Sequence, residues 1–172
     1  NGQGVASQTD LPKSWSENQN VRWKTPIFLA GWSSPIVFED LVFLTGTKEE
    51  GRQCYVLCLE ASTGKVRWEK QVHTQQTTRM RKQNSYATPT PVTDGKSVFC
   101  VFFDGTVVAL DISGNVMWKN SDFKFYSLHG LGASPTLVGD QLIMPFDGSS
   151  REEEKLGWKT PWKDAAVISY NT

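Results

Sequence analysis

The chain has 172 residues, with 18 basic and 18 acidic side chains and therefore no formal net charge at neutral pH. This balance creates no long-range field to attract nucleic acid or an anionic membrane, and no apolar run approaches the roughly 18 residues that a membrane-spanning helix needs. Aromatic residues make up 12% and charged residues 21% of the chain, a composition that favours a folded core over disorder.

The first 20 residues are predicted to form an extended N-terminal segment. Residues 1–5 contain neither a charged start nor an apolar stretch, so we expect any export signal to be absent from this chain. Residues 21–26 follow, and their sequence around Trp23 predicts the tail of an earlier or closing structural unit.

The first complete unit is predicted at about residues 31–70, as four short strands. Its first strand begins with a small hydroxyl residue followed by Pro35. Proline is tolerated there because the first residue of a strand need not donate a backbone hydrogen bond to the sheet. The third strand, at 55–59, is continuously apolar and is therefore expected to be buried on both faces. Gly64 then turns the chain into the fourth strand, which carries Trp68.

The second unit is predicted at about residues 84–120. Its opening motif is aligned on Thr-Pro at 88–89, because an Asp follows this proline by five residues, as in the first unit. The Asp-Gly dipeptide at 104–105 is a two-residue hairpin signal that leads into the third strand. Gly114 precedes Trp118 by four residues, and this spacing also occurs in the first unit.

A third unit is predicted at about residues 130–172, with Ser-Pro at 134–135 as its opening motif. The tryptophans at 23, 68 and 118 are 45 and 50 residues apart, which is the period of a four-stranded propeller blade. The sequence therefore predicts an all-β fold over residues 21–172, a partial β-propeller of four-stranded antiparallel blades with about three blades present. Strands that are apolar on both faces fit blades that stack radially.

Three blades cannot close a ring, because the smallest propellers have about four. Repeat proteins also need neighbouring units to cover their hydrophobic faces. We therefore expect the chain to be part of a longer protein whose remaining blades cover its ends. A chain that existed alone is expected to self-associate at its open edges.

The segment Leu-Glu-Ala-Ser-Thr-Gly-Lys-Val-Arg-Trp at 59–68 resembles the tryptophan-docking repeat of pyrroloquinoline-quinone (PQQ) enzymes and their cofactor-free relatives. It is most similar to bacterial quinoprotein-like propellers, a group that includes the scaffold lipoprotein of the β-barrel assembly machinery. The resemblance implies a disc of seven or eight blades, in which each repeat tryptophan packs between sheets and bonds to a backbone acceptor. The docking role then falls to the repeat tryptophans and their turn glycines: Trp23, Trp68, Trp118, Gly64 and Gly114. Trp23 departs from the pattern, because Gln19 stands where the family has Gly.

Three residues near the predicted inner strands are candidates for ligand binding. Trp32 and Tyr86 each lie three residues before the proline that opens an inner strand, so they could line a pocket at the central channel or pack between blades. His129 lies close to an inner strand, but no Cys, His or carboxylate stands at metal-ligand spacing from it, so no metal site is predicted.

A long irregular segment at 147–164 offers another candidate surface, because loops beyond about a dozen residues are often functional. Trp158 and Trp162 within it could form an aromatic contact surface for a peptide or a sugar, or fold back on the rim of their own blade. The three cysteines are expected to be small buried apolar residues: Cys54, Cys58 and Cys100.

No catalytic group is predicted. Ser33 and Ser34 belong to the repeat and have no assignable base, and Glu49-Glu50 has no partnered acid. The leading hypothesis is a non-catalytic, exported propeller, periplasmic or otherwise extracytoplasmic, that binds a protein or envelope component through its interblade loops. The alternatives are a fragment of a PQQ-dependent dehydrogenase and a sensory propeller attached to a larger enzyme. The dehydrogenase would require PQQ and Ca²⁺, but the sequence has neither an adjacent cysteine pair nor an evident Asp cluster for them.

Overall fold

In the computed structural model, the residues described are 10–77, 84–123, 125, 127, 129–147 and 165–172. These residues form three antiparallel β-sheets and contain no helix. The predicted all-β class is therefore confirmed. Accordingly, the described part of the chain has no helix of the length and apolarity needed to cross a membrane.

Each sheet is a meander in which strands adjacent in sequence are hydrogen-bonded neighbours. The strands of the first blade are β1 (Ile36–Phe38), β2 (Leu41–Lys48), β3 (Gln53–Glu60) and β4 (Val66–Thr74). Those of the second blade are β5 (Val92–Thr93), β6 (Ser97–Val101), β7 (Val107–Asp111) and β8 (Val116–Asn120). The described residues of the third blade form β9 (Thr136–Val138), β10 (Gln141–Phe146) and β11 (Ala166–Asn171).

The core lies between the blades, as expected for strands that are apolar on both faces. Side chains of β2, β3, β6 and β7 form one buried cluster, which includes Phe43, Val56, Val98 and Leu110. Phe99, Ala109, Leu142 and other residues of the second and third blades form another. Because the middle strands contribute to clusters on both sides of a sheet, packing between adjacent blades stabilises the fold.

The three cysteines are buried and form no disulfide, as the sequence predicted. Burial raises the pKa of Cys58 to about 11 and raises the pKa values of Cys54 and Cys100 as well. These thiols therefore remain protonated at neutral pH and behave as small apolar side chains.

The strand register corrects the alignment of the second unit. Ile36, Val92 and Thr136 each pair with the third residue of the following strand, so they occupy equivalent positions. The proline that opens the second blade is therefore Pro91, and the alignment on Thr-Pro at 88–89 was wrong by two residues. Consequently Tyr86 is not equivalent to Trp32.

The hairpin between β6 and β7 also differs from its prediction. The Phe102 N–H donates to the Thr106 carbonyl at 3.0 Å, which leaves three residues in the loop, where the sequence predicted two. Gly105 takes the left-handed position at the end of this loop, with φ of 86°. Such three-residue loops commonly combine an ordinary turn with a final left-handed residue.

The hydroxyl residue before each opening proline links one blade to the next. The Ser34 N–H donates to Thr90 Oγ1 at 3.1 Å, and the Thr90 N–H donates to Ser134 Oγ at 2.9 Å. These three residues are equivalent in the corrected register. The hydroxyl-proline motif therefore combines strand initiation with an interblade hydrogen bond.

We expect Thr90→Val to lower the free energy of unfolding by about 1 kcal/mol, because valine keeps the shape of threonine but removes the acceptor for the Ser34 N–H. Urea unfolding followed by tryptophan fluorescence would measure the change. Thr136→Val, at an exposed position of β9, is the matched control and should change stability by less than about 0.5 kcal/mol. Equal effects of the two substitutions would contradict this role of the hydroxyl.

Candidate functional site

Two repeat tryptophans each reach from one unit to the next. Trp23 Nε1 donates to the Ala61 carbonyl at 2.8 Å, and Trp68 Nε1 donates to the Ile112 carbonyl at 3.2 Å. Ala61 and Ile112 follow β3 and β7 directly, so the two acceptors are equivalent. Trp23 makes this bond although Gln19 stands four residues before it, at the position where the family has a turn glycine.

The turn glycines lie against these indoles. Gly64 and Gly114 have φ values of 72° and 82°, in the left-handed region that glycine enters at little cost. A Cβ at Gly64 would come within 2.4 Å of the Trp23 ring, and one at Gly114 within 3.0 Å of the Trp68 ring. Glycine is therefore favoured at both positions for two reasons. The backbone is left-handed there, and the indole of the preceding unit leaves little room for a Cβ.

Trp118 packs toward the third blade. Its ring lies 6.1 Å from that of Tyr170, with an angle of 27° between the ring planes, and 6.0 Å from that of Phe99 in its own blade. It thus lies between the second and third sheets, as Trp68 lies between the first and second.

A largely buried polar network also joins the first two blades. His73 Nε2 lies 3.0 Å from Asp104 Oδ2, with the two side chains only 11% and 19% exposed. Gln75 Nε2 donates to the Gly51 carbonyl at 2.7 Å, and its Oε1 accepts from the Asp104 N–H at 3.3 Å. Because an ionised carboxylate can only accept, Nε2 of His73 must carry the proton in this contact.

The Asp104 carboxylate is stabilised in its charged form. Burial by itself raises its pKa, but hydrogen bonds from His73 and Thr106 outweigh this effect and hold the pKa below its ordinary value of 3.8. The Asp104 carboxylate is therefore well suited to accept the interblade hydrogen bond from His73.

Beside this network lies an open cleft of about 870 Å³. Its walls are the connection that enters the first blade, the tip of the β2–β3 hairpin and the segment before the second blade. The residues that line it are Phe28, Leu29, Ala30, Gly31, Trp32, Thr47, Lys48, Glu49, Glu50, Gly51, Asn84, Ser85 and Tyr86. Trp32 and Tyr86 therefore line a common cleft, although they are not equivalent in the repeat.

Backbone contacts hold the walls of the cleft in place. Ala30 and Thr47 exchange two hydrogen bonds, of 2.9 and 2.7 Å, which fix the entering connection against the hairpin. The Trp32 N–H donates to the Ala87 carbonyl at 3.0 Å, which fixes the same connection to the segment before the second blade. The cleft is thus formed by loops that strands and interblade bonds hold in position.

The aromatic residues of the cleft differ in exposure. Phe28 is 84% and Trp32 is 56% exposed, both high for large apolar side chains. Tyr86 packs edge-on against Phe103, with 5.0 Å between the ring centroids. Burial, followed by the charge of Glu50, raises the pKa of Tyr86. Tyr86 therefore belongs partly to the interblade packing, whereas Phe28 and Trp32 face solvent.

One basic and two acidic side chains of the hairpin tip line the cleft: Lys48, Glu49 and Glu50. Lys48 pairs with Glu69, which lies outside the cleft, at 2.6 Å, and its ammonium lies 4.5 Å from the centre of the Tyr55 ring. Glu49 and Glu50 are both exposed, and Arg52 approaches Glu49 only to 3.9 Å. Two carboxylates therefore line the same cleft as the exposed aromatic rings.

The other predicted binding residues lie elsewhere. His129 is exposed, and its carbonyl accepts a hydrogen bond from the side chain of Asn84, at the edge of the cleft. Trp158 and Trp162 lie outside the described residues. Among the residues that are described, no three His, Cys, Asp or Glu side chains converge as metal ligands would.

Sequence reasoning missed several contributors to these sites. One of them is Phe28, which follows Pro26 and Ile27 in an apolar stretch before the first blade. This stretch is the sequence signal from which Phe28 could have been selected as a candidate. The hydrogen bond between His73 and Asp104 joins residues 31 positions apart, and nothing in the local sequence of either indicates the other.

Comparison with solved structures places the chain among β-propellers. A europium-containing methanol dehydrogenase matches with a TM-score of 0.58 and 15% identity, over 83% of this chain and 23% of that chain. The quinohemoprotein alcohol dehydrogenase ADHIIG from Pseudomonas putida HK5 matches with a TM-score of 0.56 and 18% identity, over 87% of this chain and 20% of that chain. BamB from Moraxella catarrhalis matches with a TM-score of 0.49 and 20% identity, over 71% of this chain and 32% of that chain.

This chain therefore spans less than a third of the length of each of these proteins. At such low identity, the likeness to the two dehydrogenases shows only the fold. None of the curated proteins compared with the chain matches it in sequence. The profile of a family described as outer membrane protein assembly factor BamB does match, over residues 5–152. The predicted resemblance to quinoprotein-like propellers is confirmed, and the chain belongs to the BamB family of PQQ-type β-propellers.

Proposed function

We propose that this protein is a non-catalytic, exported scaffold that binds a protein or another envelope component through its interblade loops. The description of its family as an outer membrane assembly factor supports this role and an extracytoplasmic location in a bacterial cell. The observation that carries the proposal is the open cleft formed by loops of the first two blades, with Phe28 and Trp32 exposed to solvent. Exposed aromatic side chains beside a cleft are typical of surfaces that bind other molecules.

The experiment is site-specific photo-crosslinking in cells that produce the intact protein. A photoreactive phenylalanine analogue at Phe28 should form an adduct with a partner in the envelope fraction. The same analogue at Met117, which is 59% exposed on β8, is the matched control and should form none. If no loop position formed an adduct, or if Met117 formed the same adduct as Phe28, the proposal would fail.

We also propose that the protein works without PQQ or Ca²⁺, which distinguishes it from the dehydrogenases that share its fold. Adding both to the intact protein should produce neither the absorbance of a bound quinone nor oxidation of an alcohol. The appearance of both signals would favour the dehydrogenase alternative.

A further inference from the structure

We propose that the cleft binds a short segment of a partner protein through a basic side chain, arginine in particular, which stacks on Trp32 and pairs with the hairpin carboxylates. This inference rests on the proposed scaffold function, because it names the chemistry of the bound partner. Two features of the cleft carry it: the exposed aromatic rings and the excess negative charge next to them.

The charge of the cleft selects a cation. Of the three charged side chains that line it, Lys48 is engaged by Glu69 outside the cleft. Glu49 has only a long, exposed contact with Arg52, and Glu50 adds a second carboxylate. An acidic ligand would therefore meet repulsion, whereas a basic side chain would meet two carboxylates in the same cleft.

The aromatic residues make arginine the best-suited cation. A guanidinium group is planar, stacks on an indole face and can still donate hydrogen bonds at its edge to a carboxylate. Trp32 offers such a face, and Phe28 offers an apolar surface for a neighbouring side chain of the same segment. Lysine would satisfy the charge but would stack less well.

The size and shape of the cleft suit a peptide segment. Its volume of about 870 Å³ lies toward the upper end of the range of binding pockets, about 300–1,000 Å³. The cleft is open and bounded by loops, so a segment of an intact partner can enter it without unfolding of the propeller. Loops held on a rigid scaffold are where propellers and other β-folds commonly bind their partners.

The test measures the binding of two labelled hexapeptides to the intact protein by fluorescence anisotropy at low salt. The probes are Gly-Leu-Arg-Phe-Arg-Gly and its acidic counterpart, Gly-Leu-Glu-Phe-Glu-Gly. The arginine peptide should bind, and the acidic peptide should bind at least about tenfold more weakly. Raising the ionic strength should weaken binding of the arginine peptide, because the carboxylates are exposed.

Substitutions then locate the binding site. Trp32→Ala and the double variant Glu49→Gln, Glu50→Gln should each raise the Kd of the arginine peptide about fivefold. The matched controls are Trp15→Ala, at an indole that is 62% exposed, and Glu39→Gln, at an exposed acid that shares the left-handed backbone of Glu50. Both controls should leave the Kd unchanged within about twofold. Equal binding of the two peptides, or no loss of binding in the cleft variants, would overturn the inference.

Failure of this inference can be distinguished from failure of the scaffold proposal. If the analogue at Phe28 captured a partner equally well with and without the two Glu→Gln changes, the scaffold role would stand and the basic-segment site would be wrong. If the arginine peptide bound as expected but no partner was captured in cells, the site chemistry would stand and the scaffold proposal would fail.

Discussion

Trp68→Ala is expected to lower the free energy of unfolding by about 3 kcal/mol, toward the lower end of the range for large aromatic residues because Trp68 is only half-buried. The substitution removes the packing against Phe43, whose ring lies 6.0 Å away, and the hydrogen bond to the Ile112 carbonyl. It also opens a gap over Gly114, where the indole approaches the turn closely. Urea unfolding of the intact protein, followed by circular dichroism, would measure the loss.

Two further variants separate packing from hydrogen bonding. Trp68→Phe keeps an aromatic ring but removes the N–H donor, so it should cost less than the alanine change, with about 1 kcal/mol attributable to the hydrogen bond. Trp15→Ala, at an exposed indole outside the blades, should change stability by less than about 0.5 kcal/mol. A loss at Trp68→Ala no greater than that at Trp15→Ala would show that the indole does not join the blades.

Asp104→Ala is expected to cost about 3 kcal/mol at neutral pH. The carboxylate is largely buried, and its removal leaves the His73 N–H without its acceptor between the first two blades. Removing the acceptor of a buried donor typically costs about 1–3 kcal/mol, and more where one group is charged, because the donor is left desolvated and unsatisfied. Chemical denaturation at pH 7 would measure this loss, with Asp10→Ala at an exposed site as the control.

The same substitution should alter the response to acid. Because the folded protein lowers the pKa of Asp104, the folded state binds fewer protons than the unfolded state near the ordinary pKa of 3.8. The stabilisation is therefore complete above that pH and is lost as the pH falls through the folded-state value. Wild type should lose stability more steeply than Asp104→Ala as the pH is lowered from 5 to 3. Parallel stability curves for the two proteins would contradict this linkage.

The sequence predicted the all-β fold because the strands and the blade period follow from local patterns that recur. A strand that is apolar on both faces must be covered on both, and the fixed spacing from Gly64 to Trp68 recurs between Gly114 and Trp118. The copies of the repeat within the chain share these patterns although most of their other residues differ. The blade period could therefore be recognised.

The opening of the second blade was mispredicted for an identifiable reason. Its sequence, Thr-Pro-Thr-Pro at 88–91, contains the hydroxyl-proline motif twice, and the spacing to Asp94 favoured the wrong copy. The structure uses Asp94 differently, since its carboxylate accepts from the N–H groups of Lys96 and Ser97 in the turn. The pairing of Val92 with Phe99 and the interblade bond to Thr90 distinguish the two copies, and the local motif indicates neither contact.

The cleft could be predicted only in part. Trp32 and Tyr86 were selected for their positions before inner strands, but the sequence did not indicate that the hairpin carboxylates would stand beside them. That arrangement depends on the bonds between Ala30 and Thr47 and on the contact of adjacent blades. Loop residues brought together by tertiary contacts leave no periodic signal in the chain.

The recurrent bonds between units have a fixed direction, with consequences for how such a protein can grow. At both the indole and the hydroxyl-proline contacts, the earlier unit donates and the later one accepts. A unit duplicated in tandem would thus bring the matching donor and acceptor to each new junction. Gene duplication could then enlarge the ring without the invention of a new interface, and the limit on blade number would be the angle at which the circle closes.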